Sequence, residues 1–443
     1  MDTVLLYIVG ILIIVVGLAL SIGLHELGHL IPAKRFGVRV GQYMIGFGPT
    51  LFSRRFGETE YGVKAIPLGG YISMAGMYPP PAEDGARGRD ATTGFVQTLV
   101  QDAPPETATA EEPDDPRRSF YALAFWKRIV IMLGGPAVNL LIGIVLYAVV
   151  LCGFGVQQSS TTIGSVSACV ISASEDRDSC TDDDPVAPGA EAGLEPGDTI
   201  VSIDGTAIDS WDQATEIIRA SAGVALSIVV ERDGEQLTLT ATPLLTERYV
   251  YDDEGNVVTD ADGTAETEEV GFLGIGAATE TVQQPLGAVL PAVGQNIEQV
   301  VGIIVHLPER MVAVWNAAFG SAERDADGPV SVVGVGRLAG EIASIDTVPV
   351  AERASALISL VASLNIALFV FNLIPLLPLD GGHVAAALID AIRRGFARLR
   401  RRIAPASIDI SRLLPLTMAV VIVLGAMSAL LVYADIVKPI SVL

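Results

Sequence analysis

The chain has 443 residues, half of them hydrophobic, with a mean hydropathy of +0.49 and a formal charge of −23. That is too apolar for an ordinary soluble enzyme and too long for one small domain. The acidic balance argues against a nucleic-acid partner, which needs basic surface.

Four uncharged apolar runs reach the ~20 residues that cross a bilayer. They cover residues 4–24, 129–155, 354–379 and 413–434. The first has Asp2 where a leader carries basic residues, and it is longer than a leader's apolar core, so it is expected to be retained. It ends in GLHELGHLIPAK, residues 23–34. His25 and His29 stand i,i+4 on one helical face, where two imidazoles can share a metal ion. Glu26 points elsewhere, which suits a base acting on water at the metal. A coincidental HExxH is the competing account, but it must explain three ionisable groups at a membrane helix end, where such groups are usually functional.

Segment 37–78 mixes glycine punctuation with short apolar–polar alternation, as in FGETEYGVKAIPLGGY, and predicts twisted strands with bulges. An exposed edge there, with Gly69, Gly70 and Tyr71 as candidates, could hold an unwound peptide by β-addition. A self-contained hairpin is the alternative. Residues 79–118, rich in Pro, Ala, Asp and Glu, read as a disordered linker. The second span, within 119–156, carries GGPAVNLLIG.

Residues 157–281 are acidic. TIVSID predicts a strand, DQATEIIRAS an amphipathic helix, and SIVVERDGEQLTLTATP a hairpin turning at Arg232-Asp233-Gly234. A polar insertion follows at 247–270. Of the three cysteines, Cys169 and Cys180 lie eleven positions apart; a disulfide in an oxidising compartment and two free thiols are both open. Residues 282–350 are apolar but broken by Pro285, Pro291 and Pro308, so helices at the membrane surface are expected there. His306 reads as structural.

The third span, within 351–383, ends in NLIPLLPLDGG. Pro375 and Pro378 cannot continue a regular helix, so this end is expected to be unwound. Irregular backbone at membrane depth is tolerated only inside protein or beside a water-filled cavity. Asp380, followed by Gly381 and Gly382, is the candidate third metal ligand; His383 reads as interfacial. Residues 384–412 are basic, and 413–443 hold the fourth span and tail. Residues 32–128 hold 12 Lys+Arg and 380–412 hold seven, whereas 152–356 hold eight against 34 Asp+Glu. The positive-inside rule then puts both termini and the acidic domain outside, and both half-sites, HELGH and Asp380, at the cytoplasmic end.

HExxH in a first span with N-x-x-P-x-x-x-x-D-G in a later one resembles the site-2 protease family of intramembrane zinc metalloproteases. The similarity is strongest to the bacterial branch that acts on anti-sigma factors and signal-peptide remnants. It extends to 47–77 as a membrane-associated β-hairpin loop, to GGPAVNLLIG as a G-P-x-x-N motif, and to GPVSVVGVGRLAG (328–340) as a glycine-rich element. The resemblance implies one Zn2+ per chain on His25, His29 and Asp380, with Glu26 as base and Asn139, Asn372 and Gly381 supporting the site. Residues 187–276 resemble a circularly permuted PDZ domain. GFLGIG would be its carboxylate-binding loop, with Gly271, Leu273 and Gly274 as binding candidates; a steric filter that binds nothing tightly is the other reading.

The expected fold is therefore an α-helical membrane protein. It has four transmembrane helices, a cytoplasmic-side membrane-associated β-hairpin loop and one extracytoplasmic PDZ-like α+β domain, in a bacterial plasma membrane. The expected partners are the lipid bilayer and a single-span, anti-sigma-factor-like substrate, whose outer segment or C-terminus the PDZ-like domain could contact. A metal transporter or sensor is the rival reading. It is disfavoured by the glutamate base and by the lack of an inverted repeat. A PDZ scaffold with a dead protease core is disfavoured because every catalytic position is filled.

Overall fold

The computed structural model describes residues 2–78, 89–92, 116–173, 175, 177, 179–250, 257–258, 265–325, 328–401 and 413–440. Most of the expected linker, half of the acidic insertion and residues 402–412 lie outside these. The chain divides into two compact units, Met1–Phe154 with Gln284–Leu443, and Gly155–Gln283.

The first helix, α1, spans Asp2–Arg35 and ends with Lys34 and Arg35 in its last turn. At ~1.5 Å per residue it is longer than the ~30 Å hydrocarbon layer, so its last turns reach the interface. Two long strands follow, β1 (Val40–Phe56) and β2 (Thr59–Tyr78). Each is bent. Positive φ at Gly46 and Gly48 folds β1, and Gly69, at φ +122°, folds β2. As a result the first half of β1 pairs on both sides: Met44 faces Gly62 on one side and Tyr71 on the other. The short strand β3 (Arg89–Thr92) joins the far edge of β2. A short pairing segment thus lies within the stretch expected to be a disordered linker. Ile72 and Met74 of β2 pack with Leu30 of α1 and with Ile131 and Met132 of α2 (Phe125–Ala148), which seats the hairpin on the helices.

Pro32 in α1 withholds an N–H from the carbonyl four residues earlier, that of Gly28. That carbonyl faces Gly134 of α2. A Cβ on Gly134 would lie 2.1 Å from Gly28 O, and one on Gly28 would lie 2.3 Å from Gly134 O. Small residues let the two backbones approach, as membrane helix packing requires. A π-helical turn, Val149–Phe154, ends this helix.

The second unit opens with β4 (Val156–Val166), β5 (Thr199–Ile203) and β6 (Thr206–Ala207), then α3 (Trp211–Ala220). Strands β7 (Leu226–Arg232) and β8 (Glu235–Ala241) form the hairpin expected at Arg232-Asp233-Gly234. Next come β9 (Leu244–Tyr249), β10 (Thr267–Phe272) and β11 (Ile275–Val282). One sheet runs β11-β4-β5-β7-β8, and β9 with β10 makes a separate pair that frames the insertion. Ile200, Ile203, Leu226, Ile228 and Val230 form its core with Ala214 and Ile218 of α3. Cys169 and Cys180 are joined by a disulfide, with Cα atoms 5.9 Å apart.

The chain then returns to the first unit through α4 (Val289–Val305), α5 (Leu307–Phe319), α6 (Val332–Ser344), α7 (Val350–Asn372), α8 (Asp380–Leu399) and α9 (Leu414–Val437). All four expected spans are helices. Among the described residues a fifth helix, Leu286–Val305, also meets the length and composition of a span. The sequence reading left it out by requiring an uncharged run; this segment carries Glu298 and Pro291 yet stays apolar enough.

Candidate metal centre

Helix α7 runs parallel to α1. A Cβ on Gly17 would touch Val361 at 3.2 Å, and one helical turn on, Asn365 donates from Nδ2 to Ser21 Oγ at 2.9 Å. The helix stops at Asn372, which is half-buried. Residues 373–379 are unwound, as the two prolines require. Asp380 then opens α8. The turn folds back so tightly that a Cβ on Gly381 would lie 2.4 Å from the carbonyl oxygens of Leu373 and Ile374. Gly381 is thereby what lets Asp380 swing back under α1.

His25, His29 and Asp380 converge from two elements 351 residues apart in sequence. Nε2 of His25 and Nε2 of His29 are 3.2 Å apart, and Asp380 Oδ2 lies 3.4 Å from the first and 3.3 Å from the second. His29 is fully buried, and Glu26 and Asp380 are each 5% exposed. His29 donates from Nδ1 to the carbonyl of Ile131 at 2.7 Å, so its Nε2 presents a lone pair. Asp380 Oδ2 is buried without a hydrogen-bond partner. Two imidazole lone pairs and a carboxylate oxygen facing one another in a buried site repel unless a cation lies between them.

The donor set fits zinc. A triangle with these edges has its centre about 1.9 Å from each corner, close to the ~2.0–2.1 Å at which zinc takes nitrogen and oxygen. Its ~3.3 Å edges match the corner spacing of a tetrahedron of that radius, which leaves a fourth position open. The surroundings fit as well. A Cβ on Gly135 would lie 2.3 Å from His29 Nε2 and 2.7 Å from His25 Nε2, so a missing methyl in α2 is what keeps this space clear. The Asn139 amide lies 3.1 Å from His25 Nδ1, and its Oδ1 is buried without a partner. With His25 binding through Nε2, its Nδ1 carries the proton. The Asn139 amide turned by half a rotation accepts a hydrogen bond from that N–H through Oδ1. This outer bond fixes tautomer and ring plane.

Gly70 lies against Glu26: a Cβ there would be 3.0 Å from Glu26 Cγ and from Ile22 Cγ2. Tyr71 is buried beside it and donates to Gln42 Oε1 at 3.2 Å. Gly69 holds the bend, with Phe47 where its Cβ would be. His383 is buried in the first turn of α8, with Nδ1 unpartnered. His306 caps α4 and donates to Gly302 O at 2.9 Å. Gly271, Leu273 and Gly274 lie in the other unit, around the β10–β11 turn. Sequence reasoning had Gly135 only as the glycine of the G-P-x-x-N motif, without a role at the metal, and missed the Ile131 carbonyl. Gly135 sits inside the quoted GGPAVN, and its neighbour Pro136 was a signal; a backbone carbonyl leaves none.

A family model, Peptidase family M50, matches residues 13–416. The chain is 33% identical to "Zinc metalloprotease Rip1" of Mycobacterium tuberculosis, over 98% of this chain and 99% of that one. It is 31% identical to the protein of that name from Mycolicibacterium smegmatis, over 98% of each. It is 29% identical to "Metalloprotease MmpA" of Caulobacter vibrioides, over 87% and 88%.

Proposed function

Because the chain belongs to peptidase family M50, the site-2 proteases, and is a zinc metalloprotease of the membrane, we propose that it cuts peptide bonds in or near the membrane helix of single-span proteins. Anti-sigma factors already trimmed outside, or signal-peptide remnants, are the substrates that fit. The observation that carries this reading is the buried triangle of two imidazoles and Asp380, with Glu26 next in sequence to His25, at the end of a spanning helix.

In this mechanism His25, His29 and Asp380 hold one zinc ion. Zinc, when bound, supplies a Lewis acid that acidifies water and polarises the scissile carbonyl. Glu26 takes the proton from the attacking water and passes it to the leaving amine. Asn139 keeps His25 in its metal-binding tautomer, and Asn372 and Gly381 shape the turn that presents Asp380. A substrate helix must unwind before its peptide groups reach the zinc. The edge of β2 at Gly69, Gly70 and Tyr71 receives the unwound segment. Its pairing with β3 begins only at Ser73, and Gly70 sits on Glu26.

We assign the site to the cytoplasmic end and the 155–283 unit, with both termini, to the outside. The basic residues flanking α1 and α2 support this, as does the disulfide, which belongs in an oxidising compartment. Four crossings are also compatible with the site. His29 and Asp380 must share one side, so an even number of crossings separates α2 from α7. A crossing by 286–305 alone would put Asp380 on the wrong face, so this helix stays on the outer side. The 155–283 unit is read as PDZ-like, screening the outer part of the substrate.

The test compares Glu26→Gln with wild type in membranes on a tagged single-span substrate, assaying bound zinc in both. Cleavage should vanish while zinc stays bound. A variant that still cleaves removes Glu26 from its role. A wild type without zinc overturns the ligand set.

A further inference from the structure

In the 155–283 unit a cavity of about 330 Å³ opens between α3 and the turn from β10 into β11. Trp211 and Ile218 line one side and Phe272 to Ile275 another. Strand β11 is the edge of its sheet, pairing only with β4 among the described residues. An extended segment entering this cavity can therefore add to β11, with its end at the Phe272–Gly274 turn. Gly274, at φ +76°, makes that turn.

A third wall comes from elements outside this groove. The Arg248 guanidinium stacks over the Phe272 ring at 3.7 Å, and Arg248 and Tyr249 both line the cavity. Arg248 Nη1 donates to Ile171 O at 3.2 Å. Ala173 N–H donates to Glu247 O at 3.0 Å, and the Tyr249 hydroxyl donates to Ala173 O at 2.7 Å. Ile171 and Ala173 belong to the loop that the Cys169–Cys180 disulfide closes. Residues 171–173 lie along β9 and hold the two side chains of the wall in place. A stacked guanidinium keeps its N–H donors in its own plane, suited to a carboxylate.

Resting on the reading of this turn as a carboxylate-binding loop, we propose that Arg248 is the cation that receives the C-terminal carboxylate of an extended peptide ligand. The Cys169–Cys180 loop fixes its position, so ligand affinity depends on the disulfide. Reduction by an external dithiol breaks the S–S bond, takes up two electrons and two protons, and leaves two thiols and the oxidised reagent. Residues 171–173 are then held on β9 by hydrogen bonds, with the Arg177–Asp184 ion pair and the Val170–Pro185 backbone bond as the remaining anchors.

The experiment measures anisotropy of a fluorescent peptide pool, randomised at its last positions, on full-length protein in detergent. The pool is made with free carboxyl or amidated ends. Wild type should bind the acid pool about tenfold more tightly than the amide pool. Arg248→Ala should abolish that preference, Arg248→Lys should restore part of it, and dithiothreitol should weaken acid binding until reoxidation recovers it. Unchanged zinc content in each sample shows that the membrane unit is intact. Equal binding of the two pools, or none, overturns the carboxylate-loop reading and the proposal with it. A carboxylate preference that survives both Arg248→Ala and reduction leaves that reading standing and overturns the roles of Arg248 and the disulfide.

Discussion

At the scale of single residues, the centre depends as much on what is missing as on what is present. The HExxH spacing brings two imidazoles together, but the space for a cation between them exists because residue 135 has no side chain. Gly135→Ala should place a methyl within 2.3 Å of His29 Nε2. Burial leaves His29 no other rotamer to take, since its Nδ1 is tied to Ile131 O. We expect zinc affinity to fall by about 100-fold or more, the upper end of what lost outer support costs a metal site, with the protein still inserted and unit 155–283 still folded. Zinc retained against a chelator titration at the wild-type level would show that α2 can yield, and that Gly135 is there for helix contact alone. Asn139 belongs to the same scale: in the proposed site its buried amide would serve His25 only in the orientation that presents oxygen, the one that a metal-binding tautomer of His25 needs.

At the scale of elements, the bent hairpin sets reach. Gly46, Gly48 and Gly69 turn two strands into a folded sheet whose inner edge lies on α1 at Ile22 and Glu26. The Tyr43 hydroxyl, donating to Gly23 O at 2.6 Å, pins the sheet to the helix one turn before the glutamate. If the edge at Gly70 presents substrate to Glu26, Gly70→Val must push the strand away by the width of its side chain. A shift of ~1 Å at a reacting centre costs roughly 100-fold in rate. The expected result is kcat/KM down by that order with zinc content unchanged, measured on the single-span test substrate. An unaltered rate would separate the hairpin from catalysis and leave it a self-contained element. The unwound turn 373–379 acts similarly on the other half-site: two prolines end the helix and two glycines let the chain double back, so Asp380 arrives beside α1 instead of continuing along α7.

At the scale of the whole molecule, topology and site constrain each other. Parallel α1 and α7 and antiparallel α2 bring HELGH and Asp380 to one end, and that end must carry the basic flanks. In a Cys152→Ser background, Glu235→Cys should react with a membrane-impermeant maleimide added to intact cells, and Arg398→Cys should react only after permeabilisation. The reverse pattern would invert the orientation, put the disulfide in a reducing compartment and remove the case for an outer screening domain.

Much of this was legible along the chain, because it rests on local chemistry. The i,i+4 histidines, the prolines and glycines around Asp380, the uncharged runs and the Arg232-Asp233-Gly234 hairpin each report a short-range requirement of backbone or solvent. Their number and spacing determined the metal-binding half-sites, the four long apolar helices and the alternation of acidic and basic loops. The three ligand atoms meeting within 3.4 Å, the Gly28–Gly134 approach, the clearance at Gly135, the Ile131 carbonyl under His29 and the seating of Gly70 on Glu26 were decided only by the folded chain. Those features join residues about forty to 350 positions apart, and they depend on close packing of backbone against backbone, where the deciding groups are carbonyl oxygens and absent side chains that no pattern of residue types spells out.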